Sequence, residues 1–68
     1  MLEKKIDVAE LSFSEKAITL LKRAGVNTLY DITCLTAEEC RQIKGMDKKR
    51  FEEILSELDL YNLEFKRV

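Results

Sequence analysis

Apolar residues recur along the chain at the spacing of amphipathic helices. The clearest pattern predicts a helix from Lys48 to about Leu58, with a buried face made by Phe51, Ile54, Leu55 and Leu58. A second strong pattern ends at about Ala24 and places on one face Ala17, Leu20, Leu21 and Ala24. Two shorter helical segments lie between them, one over residues 29–33 and one through Ala37, Cys40 and Ile43. We therefore predict an all-α fold, a compact bundle of four short helices.

Polar residues and glycines mark the ends of these helices. The candidate N-caps, in sequence order, are Ser12 or Ser14, Asn27 or Thr28, Thr36, and Asp47. Ser12 with Glu15 and Thr36 with Glu39 have the spacing of capping boxes. Gly25 and Gly45 follow the first and third helices, where a residue with positive φ often ends a helix. Because Asp47 follows Gly45 so closely, the last two helices are expected to form a tight, helix-hairpin-helix-like element.

The remaining apolar residues lie outside the helices. An extended N-terminal segment laid across the bundle is predicted by the alternating positions Ile6, Val8, Leu11 and Phe13. An irregular tail that folds back over the bundle is predicted for Leu60, Leu63 and Phe65. We expect a frayed terminus or linker remnant at 1–5, the domain at 6–65, and a tail at 66–68. The outer face of the last helix is expected to carry Glu52, Glu53 and Glu57.

Size and charge limit the classes of function. A sequence of 68 residues is one small domain or a piece of a larger chain. A content of 46% hydrophobic and 37% charged residues is typical of a folded, soluble protein. The formal net charge of -1 argues against strong, indiscriminate binding to nucleic acid. Any contact with DNA must therefore come from a local cationic patch and should be weak.

Metal sites, cofactors and catalysis are not expected. The sequence has no histidine, and its two cysteines, Cys34 and Cys40, are too few for a zinc site. Neither a Ser-His pair, a Cys-His pair nor a glycine-rich phosphate loop can be assembled. No stretch approaches the ~20 apolar residues of a membrane span, and no signal peptide precedes the cysteines. We expect reduced thiols in the cytoplasm, with Cys40 in the core; a disulfide between the two is the alternative.

Three cations occupy the first turn of the last predicted helix. Lys48, Lys49 and Arg50 directly follow Asp47, where the helix dipole disfavours each cation by roughly 0.3–1 kcal/mol. Free backbone N–H groups beside cations suit an anion, and phosphate is the obvious candidate. The alternative is a solvated face of lysine and arginine without a ligand.

Particular segments carry a family resemblance: Leu-Lys-Arg-Ala-Gly-Val at 21–26, Leu-Thr at 35–36 and Ile-Lys at 43–44. With the rest of residues 6–65, they resemble the C-terminal domain of the bacterial RNA polymerase α subunit without a gap. The resemblance implies a non-catalytic, cytoplasmic module, monomeric alone and tethered to the other subunits of DNA-directed RNA polymerase, whose remainder performs nucleotidyl transfer. It implies binding to upstream promoter DNA, through the backbone and the A·T-rich minor groove, and to transcription activators and σ factor.

The resemblance also assigns DNA contacts to individual residues. Lys16 falls on a groove-inserting arginine, Thr19 on an asparagine, Asp47 on a glycine and Arg50 on a serine, whereas Lys49 and Glu53 match outright. With the hairpin residues, the implied DNA-binding set is Lys16, Thr19, Gly45, Asp47, Lys48, Lys49, Arg50 and Glu53. Lysine lacks the planar fork of arginine and Asp47 adds a negative charge, so we predict weaker or differently specific DNA binding. The assignment requires Lys16 to lie beside the start of the last helix.

Protein contacts are implied on two other surfaces. The σ-facing positions are Glu10 and Ser12, and the activator-facing positions are Thr36, Ala37, Glu38 and Glu39. Glu38 and Glu39 are also explained by their place at the positive end of a helix. An alternative is a protein-interaction module, because Leu-Thr-Ala-Glu-Glu followed by Ile-Lys-Gly-Met is also similar to a sterile-alpha-motif domain. An enzyme is disfavoured, since four short helices leave little volume for a pocket.

Overall fold

The computed structural model describes residues 5–67. The four α-helices in this range are α1 (Glu15–Arg23), α2 (Leu29–Thr33), α3 (Ala37–Arg41) and α4 (Lys48–Leu60). No strand is present between residues 5 and 67, where the backbone forms two isolated bridges, Asp7 with Thr28 and Thr36 with Lys66. The predicted all-α fold is confirmed. The expectations for residues 1–4 and for residue 68 lie outside the described residues, and the proposed domain boundaries stay a prediction.

The first helix begins later than its capping-box spacing predicts. Ser14, not Ser12, is the N-cap of α1, and its hydroxyl oxygen accepts a hydrogen bond from the backbone N–H of Ala17. The predicted box of Ser12 with Glu15 is therefore wrong. The backbone N–H of Ser12 instead donates to the Oε1 of Glu57 in α4, at 3.4 Å. A contact distant in sequence thus decides between two equally plausible local caps.

The hairpin between α3 and α4 differs from the prediction at its start, because α3 ends at Arg41 with Gln42 as its C-cap and does not continue through Ile43 to Gly45. Gly45 has a φ of +88°, in the left-handed region that only glycine enters at little steric cost. Asp47 then caps α4 by accepting a hydrogen bond from the backbone N–H of Arg50. The other two caps are Thr28, rather than Asn27, and Thr36, and both form complete capping boxes.

The N-terminal segment is extended only in part. Asp7 caps a single 3-10 turn at Val8–Glu10, which interrupts the predicted extended path. On its way, the segment pairs with the loop before α2: the N–H of Val8 donates to the carbonyl of Asn27 at 2.9 Å. This turn buries Val8 completely.

The core lies where α1, α2 and α4 meet the N-terminal segment. The small Ala17 and, from α3, Cys40 are fully buried there. The other large side chains that are fully buried are Val8, Leu21, Leu29, Ile32, Ile54 and Leu58. The core position predicted for Cys40 is confirmed. The tail prediction is confirmed for Phe65, which is buried and stacks on Phe51 with ring centroids 5.5 Å apart.

The buried face of α4 is rotated from the one expected. Glu57 is 7% exposed, although it was predicted on the outer face, and Leu55 is 42% exposed although it was predicted in the core. Leu60, expected to fold back with the tail, is 72% exposed. Glu53 and Glu57 turn inward because the backbone N–H groups of Ser14 and Ser12 need acceptors where the segment crosses this helix, whereas Glu52 is exposed as predicted.

Candidate nucleic-acid interface

Lys16 in α1 lies beside the N-terminus of α4. Its Nζ is 3.4 Å from the Oδ2 of Asp47, while the Oδ1 of Asp47 accepts a 2.8 Å hydrogen bond from the backbone N–H of Arg50. The two oxygens of one carboxylate therefore connect the two helices. This arrangement places Lys16 beside the start of α4, as the assignment requires.

Asp47 keeps a negative charge on this surface. The hydrogen bond from the backbone of Arg50 has the largest effect on the pKa of the carboxyl and lowers it. Desolvation, the next effect, opposes this, and the hydrogen bond and charge of Lys16 lower the pKa further. The carboxylate is consequently ionised at neutral pH and cancels part of the Lys16 charge. Lys48 and Lys49, which follow in the first turn of α4, are exposed.

Arg50 and Glu53 form an ion pair with each other, so their charges are partly neutralised within the fold. The Arg50 side chain is 16% exposed, and its Nη1 donates to the Oε2 of Glu53 at 2.9 Å. Glu53 also accepts hydrogen bonds from the backbone N–H and the hydroxyl of Ser14, at 3.1 and 3.2 Å. The backbone bond from Ser14 is the main reason that the pKa of Glu53 is lowered. These contacts fix the start of α1, and hence Lys16, against α4.

A groove beside Lys16 is lined by two cationic side chains that the assignment of DNA contacts from the sequence does not include. It has a volume of about 720 Å³ and separates the outward face of α1 from the turn after α3. The predicted residues Lys16, Thr19 and Gly45 line it, together with Arg23 and Lys44. No acidic residue between positions 5 and 67 lines this groove. Arg23 lies on the same helical face as Lys16 and Thr19, so helical spacing could have indicated that it belongs to this surface. Lys44 lies in a turn, and helical spacing does not predict which way a turn residue faces.

The implied protein contacts lie elsewhere. Glu10 and Ser12 are exposed beside the 3-10 turn. Thr36 and Glu39 form the capping box of α3, and Ala37 is half-buried. Glu38 is exposed, with its Oε1 3.7 Å from the Nη1 of Arg41. The structure brings none of these residues into the groove beside Lys16.

In the part of the chain that the structure describes, the cysteines and carboxylates do not assemble into a metal site. Within the described 63 residues from Lys5 to Arg67, no group of three or more histidine, cysteine, aspartate or glutamate residues could hold a metal ion. Cys34 is exposed and Cys40 is buried, and both are free thiols. None of the helices in this part of the protein is both long and apolar enough to cross a membrane.

Known proteins match nearly the whole sequence. The family model for the C terminal domain of the bacterial RNA polymerase alpha chain matches residues 2–60. DNA-directed RNA polymerase subunit alpha of Mesoplasma florum is 34% identical over 96% of this chain and 21% of its own length. The same subunit of Mycoplasmopsis pulmonis is 37% identical over 91% and 19%, and that of Oenococcus oeni is 33% identical over 98% and 21%. The chain thus spans about a fifth of the length of these relatives. It belongs to the family of C-terminal domains of the bacterial RNA polymerase alpha subunit.

Proposed function

We propose that this domain binds DNA upstream of promoters and so helps to recruit RNA polymerase, without performing chemistry itself. Its relatives are named as subunits of DNA-directed RNA polymerase, which supports a place beside promoter DNA. The observation that carries the proposal is the position of Lys16 next to the first turn of α4. In this proposal, Lys16 and the lysines at the start of α4, which are separate in the sequence, contact the same DNA.

The chemistry of this surface suits the DNA backbone. Lys48 and Lys49 are exposed at the positive end of a helix, where phosphate oxygens are favoured. Lys16 extends the cationic surface onto α1 and is the residue that would enter the minor groove. A narrow, A·T-rich minor groove concentrates negative potential and attracts such side chains. The contacts are mainly electrostatic, so binding falls as salt rises.

Two features keep the predicted affinity low. Lysine presents a compact, strongly hydrated charge, which fits a minor groove less well than the planar fork of arginine. The carboxylate of Asp47 repels the phosphates that approach the start of α4. Weak binding is compatible with recruitment, because a tether to the other polymerase subunits raises the local concentration of the domain near DNA.

The proposal includes protein partners on the remaining surface. Glu10 and Ser12 would face σ factor, and activators would approach the start of α3 at Thr36, Ala37, Glu38 and Glu39. Glu38 is the best candidate of this group, since its side chain is 71% exposed. The alternative of a sterile-alpha-motif-like module finds no support in the family match.

A chemical-shift titration with an A·T-rich duplex at two salt concentrations tests DNA binding. We expect the amide signals of Lys16, Lys48 and Lys49 to shift, and the apparent affinity to fall at the higher salt concentration. Binding to DNA would be refuted by the absence of salt-sensitive shifts at these residues. Signals of the α3 start, at Glu38, serve as the internal control and should stay in place.

A further inference from the structure

We propose that Arg23 and Lys44 form a second phosphate-binding point for duplex DNA, at the far end of the groove that begins at Lys16. The inference rests on the proposed function and adds two contact residues to it. Both side chains line the same groove, one from the last turn of α1 and the other from the turn after α3. Two cations from separate elements thus face one opening.

The spacing suits a DNA duplex. Lys16 and Arg23 are seven positions apart on α1, which is roughly 10 Å along the helix axis at about 1.5 Å per residue. Base pairs advance by about 3.4 Å along the duplex axis, so α1 laid along that axis would span about three of them. Thr19 lies between the two cations and offers a hydroxyl donor to the intervening backbone.

The charge balance makes these cations more available than Lys16. Among residues 5–67, neither Arg23 nor Lys44 has a carboxylate within ion-pair distance, whereas Lys16 pairs with Asp47 and Lys22 pairs with Asp7. The whole protein has a net charge of -1, yet every charged residue that lines the groove is positive. An uncompensated cation gains more from a phosphate than one that must leave a carboxylate.

The Arg23→Gln/Lys44→Gln double variant tests the inference, with binding to duplex DNA followed by fluorescence anisotropy over a range of salt concentrations. We expect affinity to fall about 3- to 10-fold for A·T-rich and G·C-rich duplexes alike, because phosphate contacts carry no base information. The slope of log affinity against log salt should become shallower by about 2, one for each lost contact. Thermal unfolding followed by circular dichroism verifies that the variant is folded.

The matched control is Lys66→Gln/Arg67→Gln, which removes the same charge from exposed residues away from the groove. Equal affinity and salt slope for the two double variants would overturn the inference. If Lys16→Gln weakens binding while Arg23→Gln/Lys44→Gln does not, this second point fails and the proposed function stands. If the unsubstituted domain shows no binding to DNA, both fail together.

Discussion

The Nζ of Lys16 lies 3.4 Å from the Oδ2 of Asp47. By the family resemblance, Lys16 stands in place of an arginine and Asp47 in place of a glycine. The two departures from the family pattern are therefore paired with each other. Both side chains are about half exposed, at 59% and 46%. An exposed pair of this kind contributes little to stability. Its main effect is electrostatic, because it holds Lys16 beside α4 while cancelling part of its charge.

Replacing Asp47 by asparagine should strengthen DNA binding. Asparagine still caps the helix, but it removes the negative charge and releases Lys16 from its partner. We expect affinity for an A·T-rich duplex to rise about 3- to 10-fold at low salt, with a steeper dependence on salt. Fluorescence anisotropy measures both quantities. Asp59→Asn, an exposed position near the end of α4, is the control, and an equal gain in that variant would contradict the local explanation.

Replacing Glu53 by glutamine should destabilise the fold. Glu53 accepts two hydrogen bonds from Ser14 and one from Arg50, and these join the start of α1 to α4. Loss of a charged acceptor at this partly buried position should cost about 1–3 kcal/mol of unfolding free energy. Urea denaturation of both proteins measures the difference. The neighbouring Glu52→Gln change, at an exposed position, should be close to neutral, and similar losses in both variants would refute the assignment.

The same carboxylate predicts a dependence of stability on pH. The pKa of Glu53 is lowered in the folded protein from its ordinary 4.5, because the charged form accepts the bonds from Ser14 and Arg50. Its stabilising effect is therefore complete well above pH 4.5 and is lost as the pH falls through the lowered pKa. Thermal unfolding across the acid range should show a smaller loss for Glu53→Gln than for the unsubstituted protein. Parallel curves would argue against the role of Glu53.

The two thiols should differ in reactivity. Cys34 is exposed, whereas burial raises the pKa of the Cys40 thiol to about 11. A thiol reagent at pH 7 to 8 should modify Cys34 quickly and Cys40 only after denaturation. Mass spectrometry of the labelled protein identifies the site, and Cys34→Ser should abolish the fast reaction.

The raised pKa of Cys40 also makes stability depend on pH. The thiol ionises near pH 9.0 in the unfolded protein but only near pH 11 in the folded protein. The stabilising effect of the buried thiol is therefore complete below pH 9.0 and falls progressively toward pH 11.

The tail should contribute to stability through Phe65. Its buried ring stacks on Phe51 with an angle of 5° between the planes, and the following N–H of Lys66 donates to the carbonyl of Leu35 at 2.8 Å. Phe65→Ala should cost about 2–3 kcal/mol, less than the loss of a central core phenylalanine, because the tail can detach locally. Leu60→Ala, at a side chain that is 72% exposed, should be nearly neutral. Equal losses in the two denaturation curves would show that the tail is not held by Phe65.

Much of the helical structure could be predicted from local signals. The range of α2, the capping box at Thr36 and the turn at Gly45 follow from residues that lie within four positions of one another. The family resemblance, rather than local spacing, identified Lys16 and Thr19, and both side chains are exposed on α1. Local spacing could not show that Lys44 would face them across a groove, because that depends on how the hairpin packs.

The amino-acid order alone was enough to specify four helices and most of their caps, because these depend on short-range hydrogen bonding and apolar spacing. It also carried the family resemblance and the clusters of positive charge. Which of the charges are available depends on tertiary packing. Folding buried Glu57 against the crossing N-terminal segment, paired Arg50 with Glu53 and Lys16 with Asp47, and gathered Arg23 and Lys44 along one groove. A charged group acts through its nearest partners and its solvent exposure, and both are set by contacts between residues that are far apart in the sequence.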